Sequence, residues 1–359
     1  MAPDRFACRA LCLLAVIALT LPPSVGAEWR ITSDDGESSI KVGFLGVLRA
    51  DSEDLPNGES AENLFFRRLR LLAGGTLAER WSFFLETDSP NLGKSSEGNK
   101  DTGDVFIQDF FVTYTHSQQL KVDTGLILIP LSRNSTQSAA THLASDYGPY
   151  SFLQSGPTDS RVGRDYGVQM RGSLADASVE YRLGVFDGNR SVTDDLRFAG
   201  RLSYHVFDAE TGMFYTGNNL GARRQLSFGV GFDIQDDFQA IGADVFYDQP
   251  VGDDGSAFTV QLDRILYDGG DTFISLPEQE TLLLEIGYLF GSSRLQPWLQ
   301  YAERDYDDPA RADTDSTFVG VNYRLEGHKR VLRLAYGQLG TDGADDRDVL
   351  QLTLQIFQF

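Results

Sequence analysis

The chain has 359 residues, 52 acidic against 31 basic side chains, and a formal net charge of -21. A surface that acidic repels nucleic acid and excludes it as a partner. After residue 27 no apolar run approaches the ~20 residues that a membrane-spanning helix needs; the longest is "GLILIPL", so a helical membrane protein is excluded too.

In chain order, residues 1–27 have the layout of a secretory signal peptide. Arg5 and Arg9 precede an apolar stretch from Leu11 to Leu21, then Pro22, Pro23 and small residues up to Ala27. Cleavage after Ala27 would leave residues 28–359 as one domain, with 51 acidic and 29 basic side chains and a balance of -22. Both cysteines, Cys8 and Cys12, fall in the removed part. The exported part is therefore expected to hold neither a disulfide nor a cysteine metal site. With 36 glycines and 11% aromatic residues, it is either a large soluble β protein or a closed membrane barrel.

Period-two alternation marks the strands. From Ile40 to Arg49, Ile40, Val42, Phe44 and Leu48 share one face while Lys41, Leu45, Val47 and Arg49 share the other. The pattern recurs near 64–76, 80–88, 104–115, 119–128, 164–174, 177–187, 196–207, 225–234, 238–248, 257–266, 281–290, 294–303, 316–325, 329–338 and 347–358. Sixteen strands over 332 exported residues give about 21 per strand and connection, which suits membrane strands of ~10 residues with alternating short and long connections. The polar face is rich in Gly, Arg, Asp and Gln, as in a crowded wet lumen. The fold class expected is therefore an all-β transmembrane antiparallel barrel. Its apolar tail, "LQLTLQIFQF", is the closing strand beside the first, since hydrocarbon tolerates no open sheet edge.

Two connections break the alternation of long and short. "DAETGMFYTGNNLGARR" is long where a turn is expected, and "QDD" is short where a loop is expected. Within the tail, Leu350, Leu352, Leu354 and Ile356 have one parity and Phe357 and Phe359 the other. Either a bulge near Ile356 or an interfacial position for the last pair would account for that.

The signal peptide, the terminal Phe, "FFRRLRLLAGGTLAERWSFFLETD", "GLILIPLSRNSTQSAATHLASDYGPYSF", "GRDYGVQMRG" and "YRLGVFDG" together resemble the phosphate-selective porin O/P-like family of Gram-negative outer-membrane porins. The resemblance implies a sixteen-stranded barrel, usually a homotrimer, set in outer-membrane lipid and lipopolysaccharide. It implies passive diffusion of small hydrophilic solutes or ions, phosphate among them. Phosphate-selective members carry a dense run of lumenal Arg and Lys. Here inward Lys121, Arg171, Arg182, Arg197 and Arg201 are interleaved with Asp123, Asp165 and Glu180. Mixed charge predicts a wide, weakly selective pore with a transverse field.

The connection from Pro130 to Arg164 is long enough to expect a function. Its charges before Arg164 are Arg133, Asp146, Asp159 and Arg161, beside Tyr147, Tyr150 and Phe152. The expectation is a constriction inside the lumen with Arg133 and Arg161 facing Asp146; the alternative is an outer loop packed on a neighbouring subunit. Arg49, Arg68 and Arg70 form the densest basic patch, either concentrating anions or pairing with Glu86 and Asp88 across a hairpin. No cofactor or metal motif occurs: His116, His142, His205 and His328 are dispersed, and GxSxG and HExxH are absent. The expectation is a non-enzymatic porin. A barrel hydrolase using His142 or His205, a sheath for electron carriers, and a soluble export are the rivals.

Overall fold

A strand whose side chains alternate between apolar and polar needs two different environments, one for each face. Sixteen such strands close into one antiparallel barrel. They are β1 (Ser39–Asp54), β2 (Ser60–Ala78), β3 (Trp81–Asp88), β4 (Phe106–Thr115), β5 (Lys121–Leu128), β6 (Arg164–Leu174), β7 (Val179–Phe186) and β8 (Arg197–His205). Then come β9 (Gln225–Gln235), β10 (Phe238–Val251), β11 (Ser256–Asp268), β12 (Gln279–Leu289), β13 (Leu295–Tyr306), β14 (Thr314–Glu326), β15 (Arg330–Thr341) and β16 (Arg347–Gln358). The structure is a computed structural model that describes residues 29–55, 59–96, 99–156 and 162–359. The expected signal peptide, Asp159 and Arg161 lie outside the described residues.

Every strand pairs with its neighbours in sequence, and β16 pairs with β1 from Val349↔Glu53 to Gln358↔Phe44. Beyond the end of β16 a four-residue strand, Trp29–Thr32, continues that seam against Ser39–Val42 of β1. Among the described residues no helix is long and apolar enough to cross a membrane; the strands do the crossing. Leu71, Tyr166, Leu202, Val230 and Ile241 on the outer face are each more than half exposed, while Gln169, Arg201, Asp233 and Asp244 on the inner face are buried. In water such an outer belt would be a large apolar patch, whereas hydrocarbon solvates it.

The tail is the closing strand, with neither a bulge nor an interfacial pair. The ladder of β16 against β15 and β1 runs without a register shift. Phe357 and Phe359 continue its inward face and pack beside Leu45 and Leu72 inside the barrel. Phe359 also meets Phe84 edge-on, with ring centroids 5.8 Å apart. Strands β1 and β2 extend to 16 and 19 residues, past the limits the apolar alternation marks, chiefly because the polar residues 51–54 and 60–63 keep pairing in the hydrogen-bonded ladder.

The short connection "QDD" is a two-residue turn, Asp236–Asp237, with Asp236 at φ +54°, a left-handed conformation that Asp tolerates. The Thr272 hydroxyl and the backbone N–H groups of Asp271 and Thr272 donate to the Asp237 carboxylate, holding its pKa below the usual range. The turn is thereby tied to the next loop.

Candidate functional site

The connection between β5 and β6, called loop 3 below, does not stay at the rim. Its backbone reaches inward side chains on strands spread round the barrel. Arg133 N–H donates to Asp244 of β10 at 3.1 Å and Asn134 N–H to Asp263 of β11 at 2.9 Å. Asn322 of β14 donates to the Leu143 carbonyl at 2.8 Å, Gln355 of β16 to that of Ala140 at 2.8 Å, and Arg49 of β1 to that of Ser145 at 3.2 Å. Irregular backbone at membrane depth is tolerated only when protein satisfies its polar groups in this way. Glycines on the wall make room: a Cβ on Gly231 would lie 2.0 Å from the Leu131 carbonyl oxygen, and one on Gly287 would lie 2.5 Å from the Leu143 side chain.

A second segment enters from the opposite mouth. Residues 206–224 join β8 to β9 on the side where Phe359 lies, and they are the connection that is long where a turn was expected. Tyr215 N–H donates to the Thr136 carbonyl at 2.9 Å, and Ser138 N–H to that of Tyr215 at 2.8 Å, so the segment forms a short parallel bridge with loop 3 inside the barrel. Glu210 pairs with Arg133 at 2.8 Å. Arg182 donates to the carbonyls of Gly212 and Met213 at 2.9 and 2.8 Å. The Tyr215 hydroxyl donates to Glu180 at 2.6 Å. Where mixed charge predicts a wide bore, two segments instead bond inward wall groups and each other.

Most inward arginines named from the sequence are closed into ion pairs on the wall from β2 to β10. Arg70 holds Glu86 at 2.5 Å and Asp88 at 2.8 Å. Arg171 holds Asp123 at 2.7 Å, Arg182 holds Glu180 at 2.8 Å and Arg201 holds Asp244 at 2.6 Å. Arg197 bridges Asp165 at 3.2 Å and Asp233 at 2.5 Å. Lys121 sits half-buried on β5 near Asp123 and Arg171. Cutting one member of such a buried pair strands the other, at a cost of about 3–5 kcal/mol. The Arg197→Leu variant, which leaves Asp165 and Asp233 unmatched, is expected to unfold at a clearly lower temperature on heating in detergent; an unchanged midpoint would refute the pairing.

Asp146 is the exception, and its partners differ from those expected. Arg133 is taken by Glu210, and Asp146 instead receives Arg49 at 2.8 Å, Arg67 at 3.1 Å and Arg68 at 2.5 Å. On the same arc, Arg324 of β14 and Arg333 of β15 have no carboxylate partner among the described residues; Arg324 bonds Gln296 and the His142 carbonyl, and Arg333 bonds Gln355. Asp51 there is matched by Lys94 at 3.8 Å. Three arginines thus share the carboxylate of Asp146, and two more on the same arc bond only neutral groups. Further round the wall the sign reverses. Asp248, Asp263 and Glu285 of β10, β11 and β12 accept hydrogen bonds from Thr259, Gln261 and Gln300 and from backbone N–H groups, with no ion pair among the described residues. Basic groups thus gather on one arc of the lumen wall and acidic groups on another.

Above loop 3, at the mouth where β4 begins and β15 ends, lies a vestibule of about 950 Å³. Arg67, Arg68, Arg70, Arg164, Arg304 and Arg347 line it with Asp88, Asp146 and Asp315; Arg70, Arg164 and Arg347 are paired with Glu86, Asp109 and Glu53 behind the wall, which leaves the positive surplus at Arg67 and Arg68 beside Asp146. Below it, a chamber of about 120 Å³ lies beside Phe84, Phe214 and Phe359. Arg70, Tyr147 and Arg164 line both spaces.

Sequence reasoning missed Arg67, Arg164, Arg324, Arg333 and the inward segment. Arg67 has outward parity, but a bulge opposite Val47 and Leu48 lets Arg67 and Arg68 both turn inward. The adjacent pair in "FFRRLR" was the available signal, as the misplaced length of "DAETGMFYTGNNLGARR" was for the segment. Arg164 closes on Asp109 at 3.0 Å; Arg324 and Arg333 gave no signal beyond alternation.

The fold is similar to that of OmpF from Salmonella typhi, solved with daunomycin (TM-score 0.56, 12% identity, covering 91% of this chain and 100% of that one). It is similar to the outer-membrane channel DcaP of Acinetobacter baumannii (0.54, 14% identity, 91% and 99% covered). It is also similar to in-vitro folded OmpT of Vibrio cholerae in trimer form (0.50, 12% identity, 89% and 99% covered). No curated protein matches the chain in sequence. The family model of the phosphate-selective porins O and P matches residues 42–241, more than half of the chain. The chain belongs to the phosphate-selective porin O and P family, the outer-membrane porins that its sealed barrel and wet interior call for.

Proposed function

We propose that this porin passes small solutes along a narrow route through the vestibule, with an excess of anions over cations. The observation that carries the reading is the convergence of Arg49, Arg67 and Arg68 on the single carboxylate of Asp146 at the vestibule floor, a local surplus of positive charge in a chain whose total is -21. In a low-dielectric wall such a surplus concentrates counter-ions ahead of the constriction. Loop 3 and residues 206–224 set the size limit. Arg49, Arg68 and Asp146 act at the vestibule floor, whereas Arg133, Arg171, Arg182, Arg197 and Arg201 fix the filling segments and the wall.

The same reading makes the chain a conduit without a reaction, a cofactor or a metal. His142 and His205 are buried, and neither lines the vestibule. Residues 1–27 serve as the cleaved export signal, and the mature chains assemble as homotrimers in outer-membrane lipid and lipopolysaccharide, an assembly also seen in the similar OmpT fold. Proteoliposomes carrying the purified chain should leak trapped chloride faster than trapped potassium. Tight vesicles, or release of potassium first, would refute the reading.

A further inference from the structure

The small chamber below the constriction is unsuited to inorganic phosphate. Most of its wall is apolar, from Leu45, Leu72, Phe84, Phe214, Phe357 and Phe359 with two alanines of loop 3, and its polar groups are Gln137, Ser138 and Tyr147 of loop 3 and the paired charges Arg70, Glu86 and Arg164. Phe84 lies edge-on to Phe214 and to Phe359, with centroids 5.4 and 5.8 Å apart. The charges at its upper end are already matched: Arg70 by Glu86 and Asp88, Arg164 by Asp109. A multiply charged ion would shed water against this wall and find few free donors. An aromatic ring would meet favourable edge and face contacts. The volume, about 120 Å³, is comparable with the apolar cavity of about 150 Å³ known to take up benzene.

Uncommitted positive charge lies immediately above. Arg49, Arg67 and Arg68 share the single carboxylate of Asp146, and the Arg68 guanidinium lies 5.5 Å from the Tyr147 ring centroid. Tyr147 lines both spaces, with its hydroxyl fixed on the Gln137 carbonyl at 2.8 Å. An anion that places its head among Arg67 and Arg68 has a ring-lined descent past Tyr147. Resting on the reading of this chain as an anion-passing channel, we propose that the preferred solute is an organic monoanion with a flat apolar body of about one ring, such as an aryl carboxylate. Its carboxylate is held at the arginines of the vestibule floor and its ring occupies the phenylalanine chamber.

The test uses the full purified chain in a planar bilayer with chloride as the carrier of current. Benzoate, acetate and inorganic phosphate are added singly at millimolar concentration. Benzoate should reduce the chloride current at concentrations at least tenfold below those at which acetate or phosphate acts. The Phe84→Ser variant, on strand β3 outside both filling segments, should lose that advantage while its chloride current and the sign of its reversal potential persist. Leu72→Asn, on a different element, should do the same and guards against a folding fault in the first variant. Equal action of benzoate and acetate on the native chain, or an undiminished benzoate advantage in both variants, overturns the inference. Cation-carried current would sink the underlying channel reading instead, and the two failures are told apart by the reversal potential.

Discussion

Replacing residues 209–223 by Asn-Gly is expected to raise single-channel conductance several-fold. The design keeps the barrel closed, because the ladder of β8 and β9 continues beyond the strands: Val206 N–H donates to the Leu226 carbonyl and Asp208 N–H to that of Arg224, both at 2.8 Å. A two-residue turn suits such a pair of antiparallel ends. What is lost is the filling. Tyr215, 1% exposed at the centre of Arg182, Arg201 and Glu180, leaves with the segment, as does Glu210, the partner of Arg133. Water then enters to solvate the released arginines, and the conducting cross-section grows. Deletion of residues 138–155 from loop 3 should also raise conductance. Unchanged conductance in the first variant would place the segment away from the solute route.

Opposite shifts in ion preference are expected from two changes at one ion cluster. Arg67→Gln combined with Arg68→Gln removes two positive charges from the vestibule lining, whereas Asp146→Asn removes a negative one. Under a tenfold potassium chloride gradient, the reversal potential of the double variant should move toward the cation side and that of Asp146→Asn toward the anion side. Asp146→Asn should carry a second effect. Three arginines converge on that carboxylate at 2.5 to 3.1 Å, and stranding them costs on the order of 3 kcal/mol, so loop 3 loosens and current noise rises. Movement of both potentials in the same direction would contradict the assignment of these groups to the route.

Alternation made the barrel legible, since a strand between hydrocarbon and water must place its apolar residues at every second position. Ile40 to Arg49 and Tyr166 to Arg171 read correctly for that reason. The limits of β1 and β2 did not, because polar residues above the membrane carry no alternation to count. Charge identities were legible, and so was the cross-hairpin pairing of Arg70 with Glu86 and Asp88; the partners of the loop charges were not. Arg133 and Asp146 sit on one loop, yet Arg133 bonds Glu210, 77 residues away, and Asp146 bonds Arg49, Arg67 and Arg68. Such pairings depend on how two filling segments meet inside the barrel, which no local period encodes. Phe357 and Phe359 show the same limit. Their shift of parity looked like a defect in the tail, and it is the inner face of the last strand meeting the chamber.

The central claim is a sealed barrel filled from both mouths that leaves one narrow, basic route. Single-channel recording of the purified chain across a planar bilayer, under a salt gradient, tests it most directly. The account predicts small ohmic steps with a reversal potential on the anion side. Large steps matching an empty sixteen-stranded lumen, or a potential on the cation side, would contradict it.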